Sequence, residues 1–209
     1  MERLDAERER LRGMWRYESE HPEVTYICGI DEVGRGPLAG PVYAGAVILP
    51  RDCEILYLND SKKLSEKKRE ALNAEIREKA IAVGIGSVSA SRIDEVGIVR
   101  ATREAMAQAV EAMGVEPGLL LVDAMNIPEL SHIPQVGIIK GDAKSASIAA
   151  ASIVAKVARD HLMCELDERY PGYGFARHKG YGTSAHMDAI RRLGPCELHR
   201  RSFIGSIVG

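Results

Sequence analysis

Apolar residues fall in short blocks along the chain, and the blocks alternate with polar stretches of two kinds. Residues 26–32 and 42–49 are nearly continuous apolar runs joined by a glycine- and proline-rich stretch, Gly34 to Gly40, which predicts a hairpin-like pair of strands. A polar loop, Asn59-Asp60-Ser61-Lys62-Lys63-Leu64, leads to Ser65, whose hydroxyl suits the N-cap of a helix carrying Glu66 and Lys67-Lys68-Arg69. Residues 81–88 read as a third strand. Ser91 to Glu95 reads as a turn, with Asp94 and Glu95 as turn or helix-start residues. Ile98, Thr102, Ala105, Met106, Ala109 and Met113 then recur at helical spacing until Gly114 stops them.

Leu119-Leu120-Leu121-Val122 is a buried-strand run closed by Asp123, and residues 133–140 form a fifth strand ending at Gly141-Asp142. Helices follow at 145–170, rich in Ala, Ile and Val, and at 184–193. Residues 2–18 read as a charged helix with Leu4, Leu11, Met14 and Trp15 towards one side, a docking appendage. The division is an N-terminal helical extension, residues 1–22, and one catalytic domain, 23–209, with a helical C-terminal part. A hairpin followed by alternating strands and helices predicts an α/β fold, a five-stranded mixed β-sheet flanked by helices. Functional sites in such sheets gather at strand ends.

Composition narrows the class. The 209 residues suffice for one domain with a real core, at 45% hydrophobic and 28% charged, and the net charge of −2 excludes a uniformly basic nucleic-acid binder. From Arg177 to Arg201, however, six basic residues (Arg177, Lys179, Arg191, Arg192, Arg200, Arg201) stand against Asp188 and Glu197, beside three histidines. This marks a candidate phosphate-facing patch. Cys28, Cys53, Cys164 and Cys196 show no C-x-x-C spacing, as in reduced cysteines of a cytoplasmic protein without a structural zinc. The N-terminus is too charged for a signal peptide, and no apolar run is long enough to span a membrane.

The chemistry concentrates at carboxylates. Asp31, Asp123 and Asp142 each follow an apolar run, and Glu32 adjoins the first. Any one of them suits a turn or cap; three at matching strand ends point to a metal cluster. Asp142 also precedes the long helix, whose positive end favours an ionised carboxylate. Neighbouring strand residues point to opposite faces, so both Asp31 and Glu32 reach one site only if the strand breaks at or just after Asp31, beside Gly34 and Gly36. Hard oxygen ligands suit Mg²⁺ or Mn²⁺. Two such ions, about 3.5–4 Å apart, activate water and stabilise the departing oxygen of a phosphodiester. The Gly34-Arg35-Gly36 turn frees backbone N–H groups to approach a phosphate or sugar hydroxyl. The histidines show no H-x-E or H-E-x-x-H pattern, against zinc hydrolases.

At this point the chain resembles the ribonuclease HII family, from about Tyr26 to Phe203. The landmarks run in order: Asp31-Glu32-Val33-Gly34-Arg35-Gly36-Pro37-Leu38-Ala39-Gly40-Pro41-Val42, Asn59-Asp60-Ser61-Lys62-Lys63-Leu64-Ser65, Leu121-Val122-Asp123, Lys140-Gly141-Asp142-Ala143-Lys144-Ser145, Ala150 to Asp160, His178-Lys179-Gly180-Tyr181-Gly182-Thr183, and His199-Arg200-Arg201-Ser202-Phe203. The resemblance implies a ribonuclease H-like fold and a Mg²⁺- or Mn²⁺-dependent endonuclease. Such an enzyme acts on the RNA of RNA–DNA hybrids and cuts 5′ to single ribonucleotides embedded in DNA, leaving a 3′-hydroxyl and a 5′-phosphate. It implies Asp31, Glu32, Asp123 and Asp142 as the four active-site acids, Gly34, Arg35 and Gly36 as the ribonucleotide-recognising turn, and Tyr181 as the ring packed on the sugar at the junction. Val33, and Ala124-Met125 after Asp123, depart from the family's usual alanine and glycine without removing a ligand. With only 25 residues before Tyr26, the chain resembles type HII and not HIII, which carries an extra N-terminal domain.

Lys62, Lys144 and Lys179 sit in loops beside these motifs as candidate phosphate contacts. Tyr173 reads as a packing residue, Ser61 as a loop hydroxyl and Asp160 as a helix partner of Lys156. The expected partners are hybrids and ribonucleotide-containing duplexes, bound by a monomer, with no membrane. Competing readings are a DNA endonuclease on the same fold, a non-catalytic binding module, and a nucleotide-binding enzyme. The last lacks both G-x-G-x-x-G and the P-loop lysine.

Overall fold

The computed structural model describes residues 2–208. Five strands, β1 (Ile27–Val33), β2 (Val42–Ile48), β3 (Ala82–Val88), β4 (Leu119–Asp123) and β5 (Gln135–Ile138), form one sheet in the order β3-β2-β1-β4-β5. The β1–β2 and β2–β3 pairs are antiparallel, and β1–β4 and β4–β5 are parallel. The mixed sheet matches the expectation. The helices are α1 (Glu2–Met14), α2 (Arg16–Ser19), α3 (Glu66–Lys79), α4 (Ala90–Val96), α5 (Ile98–Ala112), α6 (Ala146–Arg169), α7 (Phe175–His178), α8 (Ser184–Leu193) and α9 (Arg201–Val208).

Two helices cover the two faces of the sheet, and glycines let them come close. A Cβ on Gly29 of β1 would lie 2.1 Å from the Ser147 backbone, and one on Gly45 of β2 would lie 2.4 Å from the Ala151 carbonyl, so α6 rests directly on the sheet. On the other face α5 packs over β2 and β3, its Ala101, Ala105, Met106 and Ala109 joining Ile30, Ala44, Ala46 and Leu120 in one core. The second core unites Ala146, Ala149, Ala150 and Ile153 of α6 with Val47, Leu72 and Ile76. Leu11, Met14 and Trp15 join that core, whereas Leu4, expected on the same stripe, is 38% exposed. The single N-terminal helix expected over 2–18 is interrupted at Trp15.

Three further expectations need correction. The first strand does not break at Asp31: its ladder with β2 continues through Glu32↔Ala44 to Val33↔Tyr43. Only the other side ends early, at Ile30↔Val122, and the chain turns at Gly34, where φ is +91°. The fifth strand is shorter than 133–140, because Lys140 adopts a left-handed backbone (φ +58°) and a 3₁₀ turn, Gly141–Ala143, follows. The stretch expected as a turn at 91–95 lies within α4, capped by Ser89. The Ser65 cap of α3 forms as expected.

Candidate active site

The parallel pairing of β1 with β4 sets Asp31 and Asp123 side by side at the carboxyl ends of neighbouring strands. Among the described residues, Asp31, Glu32 and Asp123 are the one group of three His, Cys, Asp or Glu side chains whose ligand atoms all lie within 4.8 Å of one another. Glu32 reaches the group although the strand stays regular. Beyond Ile30 β1 is no longer paired with β4, so one side of the strand is free at Glu32.

Negative charge is opposed there. Burial, the adjacent Glu32 and then Asp123 hold the Asp31 carboxyl well above the usual carboxylate range, although Ser152 and the Glu32 amide support its ionised form. Asp142 is not within the group of three. Burial, Asp60 and Asp123 raise its pKa, with Lys62 opposing them. The helix-end effect expected to favour its ionised form is therefore outweighed. Asp60, read from the sequence as a loop residue, is thus a fifth acid beside the site, and its own side chain caps the Lys62 amide. Crowded hard-oxygen donors whose negative charges oppose one another fit a divalent cation, which relieves that repulsion.

The Gly34–Gly40 turn forms the second half of the site. Arg200 is fully buried and has no carboxylate partner among the described residues. Its guanidinium donates to the carbonyls of Gly34 (2.6 Å), Arg35 (2.8 Å) and Gly40 (2.9 and 3.0 Å). Burial, with Arg159 nearby, pushes its pKa down to about 9. Arg159 is also buried and donates to the carbonyls of Ala39, Pro41 and Lys179. The peptide bonds are trans. The N–H groups of Arg35 and Gly36, each antiparallel to a carbonyl that Arg200 holds, therefore point away from it on the exposed side of the turn. A side chain at Gly34 would strike Arg159 at 2.3 Å. Arg200 was expected in a phosphate-facing surface patch; it is an internal clamp. Its burial leaves no signal in a basic stretch of sequence.

Tyr181 is 39% exposed, and its ring is the nearest group to Gly36, 3.9 Å from where a Cβ would lie. Its loop is tied to the turn by Leu38 N–H donating to Gly180 O at 2.8 Å. The Tyr181 carbonyl accepts from His186 Nδ1 (2.9 Å), His186 Nε2 meets His199 Nε2 (3.1 Å), and His199 Nδ1 accepts from the Cys196 amide (3.0 Å). One arrangement satisfies all these atoms: both rings neutral, with His199 donating to His186. Burial, chiefly, and the neighbouring His186 hold the His199 pKa down to about 4.

The remaining candidates divide. Lys62 stands beside the acids: burial works against its charge, but Asp60, Asp31, Asp142 and Tyr181 together raise its pKa. Arg35 Nη1 lies 3.5 Å from Glu32 Oε1. Lys144 is exposed. Lys179 spends its ammonium on Ala176 O (2.6 Å) and Cys164 Sγ (3.0 Å). Asp160 pairs with Lys156 at 2.7 Å, as expected, and with Arg69. Ser61 is buried and bonded to Ser152, and Tyr173 stacks on Phe175.

Comparison with known proteins bears on the family and the fold. The family model described as Ribonuclease HII matches residues 28–206. Ribonuclease HII of Lachnoclostridium phytofermentans is 65% identical over 206 residues, covering 99% of this chain and 81% of that protein. The crystal structure of ribonuclease H2 from Pyrococcus horikoshii OT3 superposes with a TM-score of 0.72 at 24% identity, over 88% of this chain and 97% of that one. The PCNA:RNase HII complex from Archaeoglobus fulgidus contains a chain matching with a TM-score of 0.71 at 26% identity and the same coverage. No helix among the described residues is long and apolar enough to cross a membrane. On its strand order, its acidic strand ends and its likeness over nearly the whole length, the chain belongs to the ribonuclease HII family and is a nuclease of the hydrolase class.

Proposed function

We propose that this chain is an endoribonuclease that hydrolyses the RNA strand of RNA–DNA hybrids and cuts on the 5′ side of single ribonucleotides embedded in duplex DNA. The products are a 3′-hydroxyl and a 5′-phosphate. It acts as a cytoplasmic monomer. Asp31, Glu32, Asp123 and Asp142 hold two divalent cations, Mg²⁺ or Mn²⁺. When bound, such cations acidify water and offset the charge of the departing oxygen. Two hydrogen-bonding amides and an aromatic ring, set against one acidic strand end, carry the reading.

The 2′-hydroxyl both donates and accepts, so one nucleotide is told from DNA by groups that meet it at close range. The Arg35 and Gly36 amides are unobstructed donors for that hydroxyl and the adjoining phosphate. Tyr181 stacks on the next deoxyribose and disfavours an added hydroxyl there. Lys62, between the acids and Tyr181, holds a backbone phosphate; Lys144 adds a weaker contact, as does Lys179 once its ammonium swings outward. The test offers a duplex with one ribonucleotide and an all-DNA duplex of the same sequence, with Mn²⁺. Cleavage confined to the first, 5′ to the ribose, is expected. Equal cleavage of both would instead make the chain a DNA endonuclease.

A further inference from the structure

The N-terminal segment reaches the start of α6, next to the acidic site, through a buried side chain. Glu18, in α2, is 2% exposed although it is charged and lies in a short helix. Its Oε1 accepts from Ser145 Oγ at 2.7 Å and from the Ser147 amide at 3.1 Å. Ser145 is the N-cap of α6, and its Oγ accepts from the Ile148 amide. The carboxylate thus sits on the positive end of the long central helix, where a negative charge is favourable. The other Glu18 oxygen is buried without a partner among the described residues, so the contact is held despite a desolvation cost.

The chain is anchored on both sides of Glu18. Trp15 lies in the second core, and Arg51 donates to the carbonyls of Glu18, His21 and Val24. From Ser145 the connection runs straight to the acids. The Ser145 and Lys144 amides donate to Gly141 O at 2.8 and 2.9 Å, and the Gly141 amide donates to Asp123 Oδ1 at 2.7 Å. Asp142 is the next residue. Two candidate ligands are therefore fixed by a turn whose far end rests on Glu18.

We propose that Glu18 is a positioning residue of the metal site, which makes the N-terminal segment a working part of the catalytic unit. The proposal rests on the reading of the acids as cation ligands. Removing Glu18 leaves Ser145 and Ser147 without their acceptor and loosens the turn that aims Asp123 and Asp142. Outer partners of metal ligands typically set affinity by factors of ten or more.

The test measures Mn²⁺ binding by calorimetry on the full chain without substrate, beside melting temperature and the Mn²⁺ dependence of kcat. Glu18→Ala and Glu18→Asp, the latter keeping the charge but falling short in reach, are expected to bind Mn²⁺ roughly tenfold more weakly. Excess Mn²⁺ should restore kcat to within about twofold of the parent. Glu18→Gln, which keeps an acceptor oxygen of the same reach, is expected to retain most of the affinity. Glu20→Ala, at an exposed acid of the same segment that pairs with Arg16, should match the parent. A lower melting temperature with unchanged Mn²⁺ affinity in the Ala and Asp variants would reduce Glu18 to a structural brace and overturn the proposal. A parent chain that binds no Mn²⁺ would remove the metal-site reading itself, and the proposal with it.

Discussion

The acidic half of the site and the turn-and-loop half are built by opposite means. At the sheet edge, Asp31, Glu32 and Asp123 crowd their charges together, and burial works against Asp31 in particular. In the other half, Arg200 and Arg159 are enclosed by carbonyl oxygens, and His186 and His199 are enclosed as neutral rings. The first half is under electrostatic tension, which a bound cation would relieve. The second is satisfied by itself and stabilises the fold. Substitutions in the acidic half should therefore remove activity and spare stability, and those in the other half should lose stability first.

The largest effect is expected at Asp31. Asp31→Asn keeps the shape but discards a proposed cation ligand. Turnover should fall by at least about a hundredfold, since even outer partners of a metal cost 10–100-fold. Its melting temperature should hold or rise, because the charge opposed by burial and Glu32 is gone. A marked loss of stability would erase the contrast between the halves.

Arg200→Ala should do the reverse. Two buried carbonyls, Gly34 and Gly40, and the part-buried Arg35 carbonyl lose their donor; at roughly 1–3 kcal/mol for each buried one before relaxation, a denaturant titration should show a loss of about 3 kcal/mol. Arg200→Lys, with a single charged point in place of a planar fork, should fall between. Residual cleavage by either variant should discriminate less sharply between ribose and deoxyribose, because the Arg35 and Gly36 amides are no longer aimed. A stable Arg200→Ala variant with parental selectivity would show that the turn holds itself.

The same contrast explains what could be read from the chain. The closeness of Asp31 and Asp123 is legible because each closes an apolar run, and the five strands follow from those runs, whereas Asp142 lies outside the group of three. Glu32 joins the cluster from a strand that stays paired on one side, although side-chain alternation argues for a broken one. Arg200 and Glu18 were illegible because burial of a charge depends on partners far along the chain: Gly34, 166 residues before Arg200, and Ser145, 127 after Glu18. Asp94 belongs with them. It read as a turn or helix-start residue, yet it accepts from the Arg201 and Ser202 amides and so fastens α9 directly behind Arg200.

The histidine chain adds a pH signature to the second half. His199 has a folded pKa of about 4 against 6.5 for the free group, so the unfolded chain takes up its proton first as pH falls. The stability from the neutral ring is complete above about pH 6.5 and is lost as pH falls towards 4. His186, His178 and Arg201 all face it and act in the same direction. Between pH 7.5 and 5 this amounts to about 2 kcal/mol, or roughly 4–8 °C in melting temperature. The lowered carboxyl of Asp94 contributes at lower pH, its stabilisation being lost only below its ordinary 3.8. His199→Gln should melt with a flatter profile over that window, and an unchanged slope would place the acid sensitivity elsewhere.

The smallest effect is expected at Tyr181, and it tests where the two halves meet. The ring is partly exposed, its hydroxyl makes no hydrogen bond among the described residues, and its loop is held through main-chain groups of Gly180 and Tyr181. Removing the ring should leave the melting temperature within a degree or two. What disappears is stacking, on the order of 1–3 kcal/mol for an aromatic platform under a nucleotide, so Tyr181→Ala should cut next to a single ribonucleotide roughly tenfold more slowly. Tyr181→Phe keeps the platform and should cleave at nearly the parental rate. Paired single-turnover assays with saturating Mn²⁺ separate the possibilities. Equal loss in both variants would move the role from the ring to the hydroxyl. Equal activity in all three proteins would leave the Gly34–Gly36 turn alone to select the ribose, with the aromatic wall no part of recognition.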